Sequence, residues 1–164
     1  MAGNAFIKFE GADGESLQKN FEKQIEISDF SWEITNDTSF TKGGGASVGK
    51  ANPGTASFSQ AYNTASNFMM NNIVSGKHFA KVVMSLCKNT GADANPQEVY
   101  YEMTMEAVYI TKVGFSAGDD GVLTQAIDMV FKKVHIDYQM QTNTGSLDKA
   151  KKPFTWDIPT MTVS

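Results

Sequence analysis

The glycine-rich residues 44–50 come closest in this sequence to a nucleotide-binding motif. A P-loop holds phosphates with backbone amides and a lysine, and the residue after that lysine is a serine or threonine that binds magnesium. Here that residue is Ala51, and Asn52-Pro53-Gly54 follows, so no helix can begin there and point its N-terminal dipole at a phosphate. The pattern favours a flexible glycine loop, and we expect no cofactor.

His135 and Asp137 are the residues whose spacing best suits a metal site or an acid–base pair. On a strand they would lie next but one to each other on the same face. His78 is the second and last imidazole in the sequence, and no third ligand is evident. The polar face of an amphipathic strand, continued by Gln139 and Gln141, explains these residues better, so we predict no metal site.

Cys87 is the single cysteine, so the chain forms no intramolecular disulfide. It lies within a strand pattern without an evident partner base, and no Gly-x-Ser-x-Gly nucleophile elbow occurs elsewhere. A buried thiol is therefore expected rather than a reactive one. Because no acid, base and nucleophile converge, we predict that the protein is not an enzyme.

Composition limits the partners that the chain can have. Its 164 residues fit one domain, 1–164, and 41% hydrophobic with 20% charged residues is ordinary for a folded globular protein. A net charge of −4 without a basic run lacks the footprint of nucleic-acid binding. No 18 apolar residues run together, and the first ten residues lack a signal-peptide pattern, so membrane insertion and general secretory export are not expected.

Most of the sequence alternates with period two, which is typical of strands with one buried face. Ile7 and Phe9 form the first such strand. Ile25 and Ile27 share one parity while Trp32 and Ile34 share the other, which predicts one long strand bent near residues 28–29. Later alternating segments lie at residues 79–86, 101–105, 108–110, 113–115, 123–131, 134–140 and 153–159.

One helix is predicted, from residue 63 or 64 to Ser75. Ala65, Phe68, Met69 and Ile73 fall on one face at helical spacing, and Gly76 can end the helix in the left-handed conformation. Many short strands with a lone helix predict a mainly β fold, either a barrel or a sandwich. Residues 36–55 are polar, glycine-rich and without a period, and are expected to form an extended loop.

The ordered pieces of the chain resemble the Hcp (haemolysin-coregulated protein) family, the tube proteins of bacterial type VI secretion. The pieces are Ile7-Lys-Phe-Glu-Gly11, Gly14-Glu-Ser16, Ile25-Glu-Ile-Ser-Asp-Phe-Ser-Trp32, the glycine-rich loop ending before Phe58-Ser59, the helix followed by Gly76-Lys77, and Val108-Tyr-Ile-Thr111. The early Ile-x-Ile-x-x-x-x-Trp strand, the glycine-rich loop and the lone helix together carry the resemblance.

The resemblance implies a mainly β fold, an antiparallel two-sheet β-barrel with one flanking helix and an extended glycine-rich loop. It also implies that six copies close into a ring and that rings stack into a hollow tube. Its implied partners are further copies of the chain, a contractile sheath that drives the tube outward, a spike protein that caps it, and small effectors in the lumen. Assembly in the bacterial cytoplasm and export through the apparatus itself, without a signal peptide, are also implied.

We predict that the loop reaches a neighbouring subunit or ring, since it is rich in glycine and carries few bulky apolar groups. The predicted assembly residues are Phe40, Lys42, Gly43, Gly44, Gly45, Ser47, Val48 and Lys50.

Two alternative functions remain open at this level. The first is a tail-tube protein of a phage-like contractile particle, whose fold is similar. The second is a small-ligand or carbohydrate-binding barrel in which Trp32 or Trp156 stacks on a ligand.

Overall fold

The computed structural model describes residues 5–41, 45–47, 49–89 and 97–164. Those residues form fourteen strands and one helix: β1 (Ala5–Phe9), β2 (Ile25–Glu26), β3 (Ser28–Ser31), β4 (Ile34–Asn36), β5 (Ser39–Thr41), β6 (Gly45–Ser47), β7 (Ala51–Pro53), β8 (Ala56–Ala61), α1 (Ser66–Ser75), β9 (Phe79–Asn89), β10 (Gln97–Ala117), β11 (Leu123–Val130), β12 (Lys133–Gln141), β13 (Leu147–Asp157) and β14 (Thr162–Val163). The predicted antiparallel β class with one helix is confirmed.

Strand β10 organises both layers of the sheet. Its first half pairs with β9 and β12, and its second half, from Tyr109, pairs with β11. Between the halves Ala107 has a φ of 53°, and the register with β11 shifts again between Ile110 and Lys112. Such bulges bend a strand and increase its twist. The three segments predicted at 101–115 are therefore one strand that passes from the first layer to the second.

The predicted barrel is not closed. One path of paired strands runs β14-β13-β12-β10-β11-β8-β3, and its two end strands pair with nothing beyond them in the described chain. β3 is four residues long and its register with β8 shifts between Ser28 and Ser31, so it offers little continuous ladder. This path consequently has two open edges, and β2 ends a side branch that runs from β10 through β9 and β1.

The predicted bend at residues 28–29 is confirmed, but the single long strand is wrong. Asp29, within β3, has a φ of 55°, and the chain changes pairing partners on either side of β3. β2 pairs with β1, β3 pairs with β8, and β4 pairs with β7. The reversal of side-chain parity therefore accompanies a change of pairing partner between successive short strands.

Helix α1 ends at Gly76, with a φ of 73°, as predicted. It begins at Ser66, slightly later than expected. Just before the helix, the side-chain oxygen of Asn63 accepts a hydrogen bond of 2.9 Å from the Ala65 amide. Ala65 and Met69 are fully buried, whereas Phe68 is 53% exposed, so its assignment to the core face was wrong. No helix of the described chain is long and apolar enough to cross a membrane.

The core lies between the two layers and is closed on one side by α1. Phe9 anchors it, with ring centroids 4.9 Å from Phe79 and 6.2 Å from Phe58. Its largest fully buried apolar side chains on the sheet are Phe9, Phe58, Ile7, Met84, Met103, Met105, Ile127, Met129 and Val82. The strands of residues 34–53 lie outside the large sheet, although Ala51 on β7 packs against this core.

Candidate assembly surface

Residues 34–53 form a hairpin arm rather than the unstructured loop that the sequence predicts. β4 pairs with β7 near the body of the protein, and β5 pairs with β6 farther out. Both pairs form two-stranded sheets of their own, outside the large sheet. Each residue from 33 to 39 is exposed, and Ile34 keeps 44% of its surface in solvent. The arm thus presents extended backbone and side chains away from the core.

Trp32 fixes the root of the arm to the core. Its indole nitrogen donates a hydrogen bond of 3.1 Å to the carbonyl of Gly54, and its ring lies 5.4 Å from the ring of Phe131. The Gly54 amide donates in turn to the Glu33 carbonyl at 2.8 Å. These contacts tie both legs of the arm together where they leave the body.

Glycine is required where the two legs approach most closely. A Cβ atom added to Gly49 would lie 2.2 Å from the Asp37 carbonyl oxygen, and one added to Gly54 would lie 2.8 Å from the Glu33 carbonyl oxygen. Both obstacles are backbone atoms, which cannot rotate away as a side chain would. Gly49 and Gly54 therefore serve close packing of the legs.

The structure places only some of the predicted assembly residues. Phe40 lies on β5, Gly45 and Ser47 lie on β6, and Lys50 is exposed beside β7. The remaining four lie outside the described residues: Lys42, Gly43, Gly44 and Val48. Their role in assembly stays a prediction. The nucleotide motif is disfavoured further, since strand β7 follows Lys50 where a phosphate-binding loop requires a helix.

His135 and Asp137 do meet on β12, as their spacing predicts. Nε2 of His135 lies 3.0 Å from an Asp137 carboxylate oxygen, and Nδ1 lies 2.6 Å from the Thr155 hydroxyl. Both ring nitrogens are thus occupied by neighbours. In the part of the chain that the structure describes, no three metal-binding side chains come together.

Cys87 is buried beside Phe6, Phe21 and Val99, away from the main core. Burial raises the pKa of its thiol to about 11. A raised pKa favours the protonated form, which is a poor nucleophile.

We expect Cys87 in the native protein to react with iodoacetamide at pH 8 about 100-fold more slowly than in the unfolded chain, because a pKa two units higher leaves about 100-fold less thiolate. The stability that this protonated thiol contributes is full below the unfolded pKa and is lost as the pH rises through about 11. Labelling rates with and without guanidinium test this, and equal rates would show that the thiol is accessible.

The two tryptophans that a carbohydrate-binding barrel would use both pack against the rest of the protein. Trp156 is 2% exposed, and Trp32 contacts Phe131 and Gly54. A sugar ring needs an open aromatic face on which to stack. The ligand-binding alternative therefore loses the residues on which it depended.

Comparison with known proteins gives a consistent match over the chain. A family model described as type VI secretion system effector, Hcp, matches residues 6–138. Protein hcp1 of Pseudomonas aeruginosa is 31% identical over 160 residues, covering 96% of each chain.

Solved structures share the fold at lower identity. A structure described as a type six secretion system protein superimposes with a TM-score of 0.90 at 23% identity, over 99% of this chain and 100% of the other. Hcp1 from Salmonella typhimurium gives 0.79 at 23% identity over 100% of both chains. A type VI secretion effector from Yersinia pestis gives 0.75 at 23% identity, over 94% and 99%.

Proposed function

Because the chain belongs to the Hcp family of type VI secretion proteins, we propose that it is a subunit of a secreted inner tube in which six copies form each ring. The observation that carries the proposal is the match to hcp1 along nearly the whole of both chains. The family is one of structural, secreted tube proteins. Activity in this sense is shape complementarity between copies rather than catalysis.

The arm suits a contact between subunits or rings. Its strands pair only with each other in the described chain, and residues 33–39 of its first leg are all exposed. A contact between an arm and a different surface of the next copy is heterologous, and such contacts close into rings or continue into tubes. We assign the arm this role, with Phe40 and Lys50 among its contacts.

The further partners follow from the proposed tube. A sheath would surround it, a spike would cap it, and small effectors would travel in its lumen, with export through the apparatus after assembly in the cytoplasm. A phage-like tail tube would use the same architecture, and the family match favours secretion. Neighbouring genes for a sheath, an ATPase and a membrane complex would support secretion over a phage particle.

Native mass and particle shape test the proposal directly. Light scattering after size exclusion should give six times the chain mass of 17.9 kDa, and negative-stain images should show rings with a central hole. A monomer over a wide range of concentrations would contradict the tube function.

A further inference from the structure

Two edge regions of the sheet carry opposite charges. The acidic edge is formed by Glu26, Asp29 and Glu33, on and beside β2 and β3. The basic edge is formed by Lys149, Lys151 and Lys152, on β13. All six residues are exposed. Strand β3 ends the path of paired strands and β13 lies next to its other end, whereas β2, which carries Glu26, ends the branch through β9 and β1. The acidic and the basic groups therefore lie at different edges of the sheet.

The charge of the acidic edge extends along the chain around it. Residues 10–37 contain eight acidic and two basic side chains. One of the two basic residues, Lys23, already pairs with Asp13 at 3.8 Å. Strand β3 is bonded to β8 on one side only, and the left-handed turn at Asp29 interrupts its ladder. Acidic side chains are therefore concentrated in the part of the chain that contains the edge strand β3.

The basic edge is equally incomplete. Residues 132–152 contain five lysines and two aspartates. Strand β14 and the following Ser164 pair with Thr155, Trp156 and Asp157 of β13, so the lysine-bearing part of β13 pairs with β12 on one side and with no described strand on the other. Pro153, which cannot donate a backbone hydrogen bond, follows the lysines. Lysine and proline on an edge discourage indiscriminate strand pairing.

The six charged groups have no ion-pair partner among the described residues of their own chain. Within that part of the molecule, salt bridges involve Lys23 with Asp13, Lys133 with Glu106, and His135 with Asp137. Opposite charges left unpaired on separate surfaces of one molecule are complementary between two copies.

We propose that the acidic edge of one copy binds the basic edge of the next copy within the ring. The inference rests on the proposed tube function and specifies which surfaces make the contact around each ring. Two acidic edges repel each other, as do two basic edges, so a symmetric dimer through like edges is disfavoured. Pairing unlike edges is head-to-tail, which is the geometry that closes a ring.

Charge reversal on each edge gives a test with an internal control for folding. An acidic-edge variant carries Glu26→Lys, Asp29→Lys and Glu33→Lys, and a basic-edge variant carries Lys149→Glu, Lys151→Glu and Lys152→Glu. Each variant has two edges of like sign and should form no rings by itself. Mixed in equal amounts, the two variants become complementary and should form rings of alternating copies, which an even number such as six permits.

A chain that carries all six reversals provides the matched control. Its net charge is again −4, and its edges are again opposite in sign, so it should form rings alone. The ring dissociation constant of the wild-type protein should also rise with salt. The Debye length falls to about 3 Å at 1 M ionic strength, so the attraction between the two edges is screened. Native mass spectrometry and negative-stain imaging measure ring formation for each variant, for the mixture and for the wild-type protein.

The outcomes separate this inference from the proposed function. Rings formed by either triple variant alone, no rings in the mixture, or a dissociation constant of wild-type rings that does not change with salt would each overturn the edge contact. If the wild-type protein still formed rings in those cases, the proposed tube function would remain supported. A monomeric wild-type protein would overturn both.

Discussion

A Gly49→Ala chain should remain folded but lose the ability to stack into tubes. The added methyl group would lie 2.2 Å from the Asp37 carbonyl oxygen, so the two legs of the arm must separate. The change falls between the inner pair, β4 and β7, and the outer pair, β5 and β6, and it should therefore redirect the outer half of the arm. Negative-stain imaging measures the loss as shorter or absent stacks.

Gly114→Ala is the matched control for this change. There the same methyl group would meet only the end of the Lys112 side chain, 3.8 Å away. Replacing glycine with alanine where space and backbone allow it commonly stabilises a protein by about 0.4–1 kcal/mol. We expect Gly114→Ala to stack normally and to melt at the wild-type temperature or slightly above it. Normal stacking by Gly49→Ala would show that the geometry of the arm does not govern assembly.

A Trp32→Ala chain should lose about 3 kcal/mol of unfolding free energy, since removal of a large aromatic side chain from a packed site costs about 3–5 kcal/mol and Trp32 is only half-buried. For a protein of this size that corresponds to a fall of about 6–12 °C in Tm. The substitution removes the ring contact with Phe131 and the bond to the Gly54 carbonyl. The root of the arm is then free, so ring stacking should weaken as well.

Trp32→Phe separates the two contributions. Phenylalanine keeps an aromatic ring against Phe131 but has no N–H to donate to Gly54, and a lost hydrogen bond of this kind costs about 1 kcal/mol. Thermal unfolding of the three chains should place Trp32→Phe closer to the wild type than Trp32→Ala. Equal melting temperatures for all three would mean that Trp32 does not hold the arm to the core.

Side-chain parity predicted where strands lie better than how far they extend. Tyr101, Met103 and Met105 share one parity, Val108 and Ile110 share the other, and Val113 returns to the first. Read alone, that pattern indicates three strands. The left-handed Ala107 and the register shift after Ile110 reset the parity twice within β10, and a backbone bulge of this kind leaves no residue signature when the residue is alanine.

The first leg of the arm escaped prediction because its strand β4 has no buried face. Strand prediction depends on alternation between a buried and an exposed side, and Ile34, Thr35 and Asn36 are all exposed. The glycines indicated a loop, although Gly49 and Gly54 serve the close approach of two paired legs. At Phe68 the error was the reverse, because its helical spacing predicted a buried side chain, whereas 53% of its surface is exposed.

The charged edges could be found only in part from the sequence. The excess of acidic residues in 10–37 and of lysines in 132–152 is visible in the printed chain. Their meaning depends on topology, because only the strand order places β3 and β13 toward opposite margins of one sheet. Residues more than a hundred positions apart thereby become candidates for a contact between copies.

The passage of β10 through both layers also governs how the chain folds. Neither layer can be completed without β10, so we expect the two layers to unfold in one cooperative transition. Strand β1 must wait for β9, since Ala5 pairs with Leu86, and such distant pairings close slowly. Folding in milliseconds to seconds, typical of all-β proteins, would leave both charged margins open to solvent before any ring forms. Lysines and Pro153 on β13 then act as gatekeepers against aggregation during that interval.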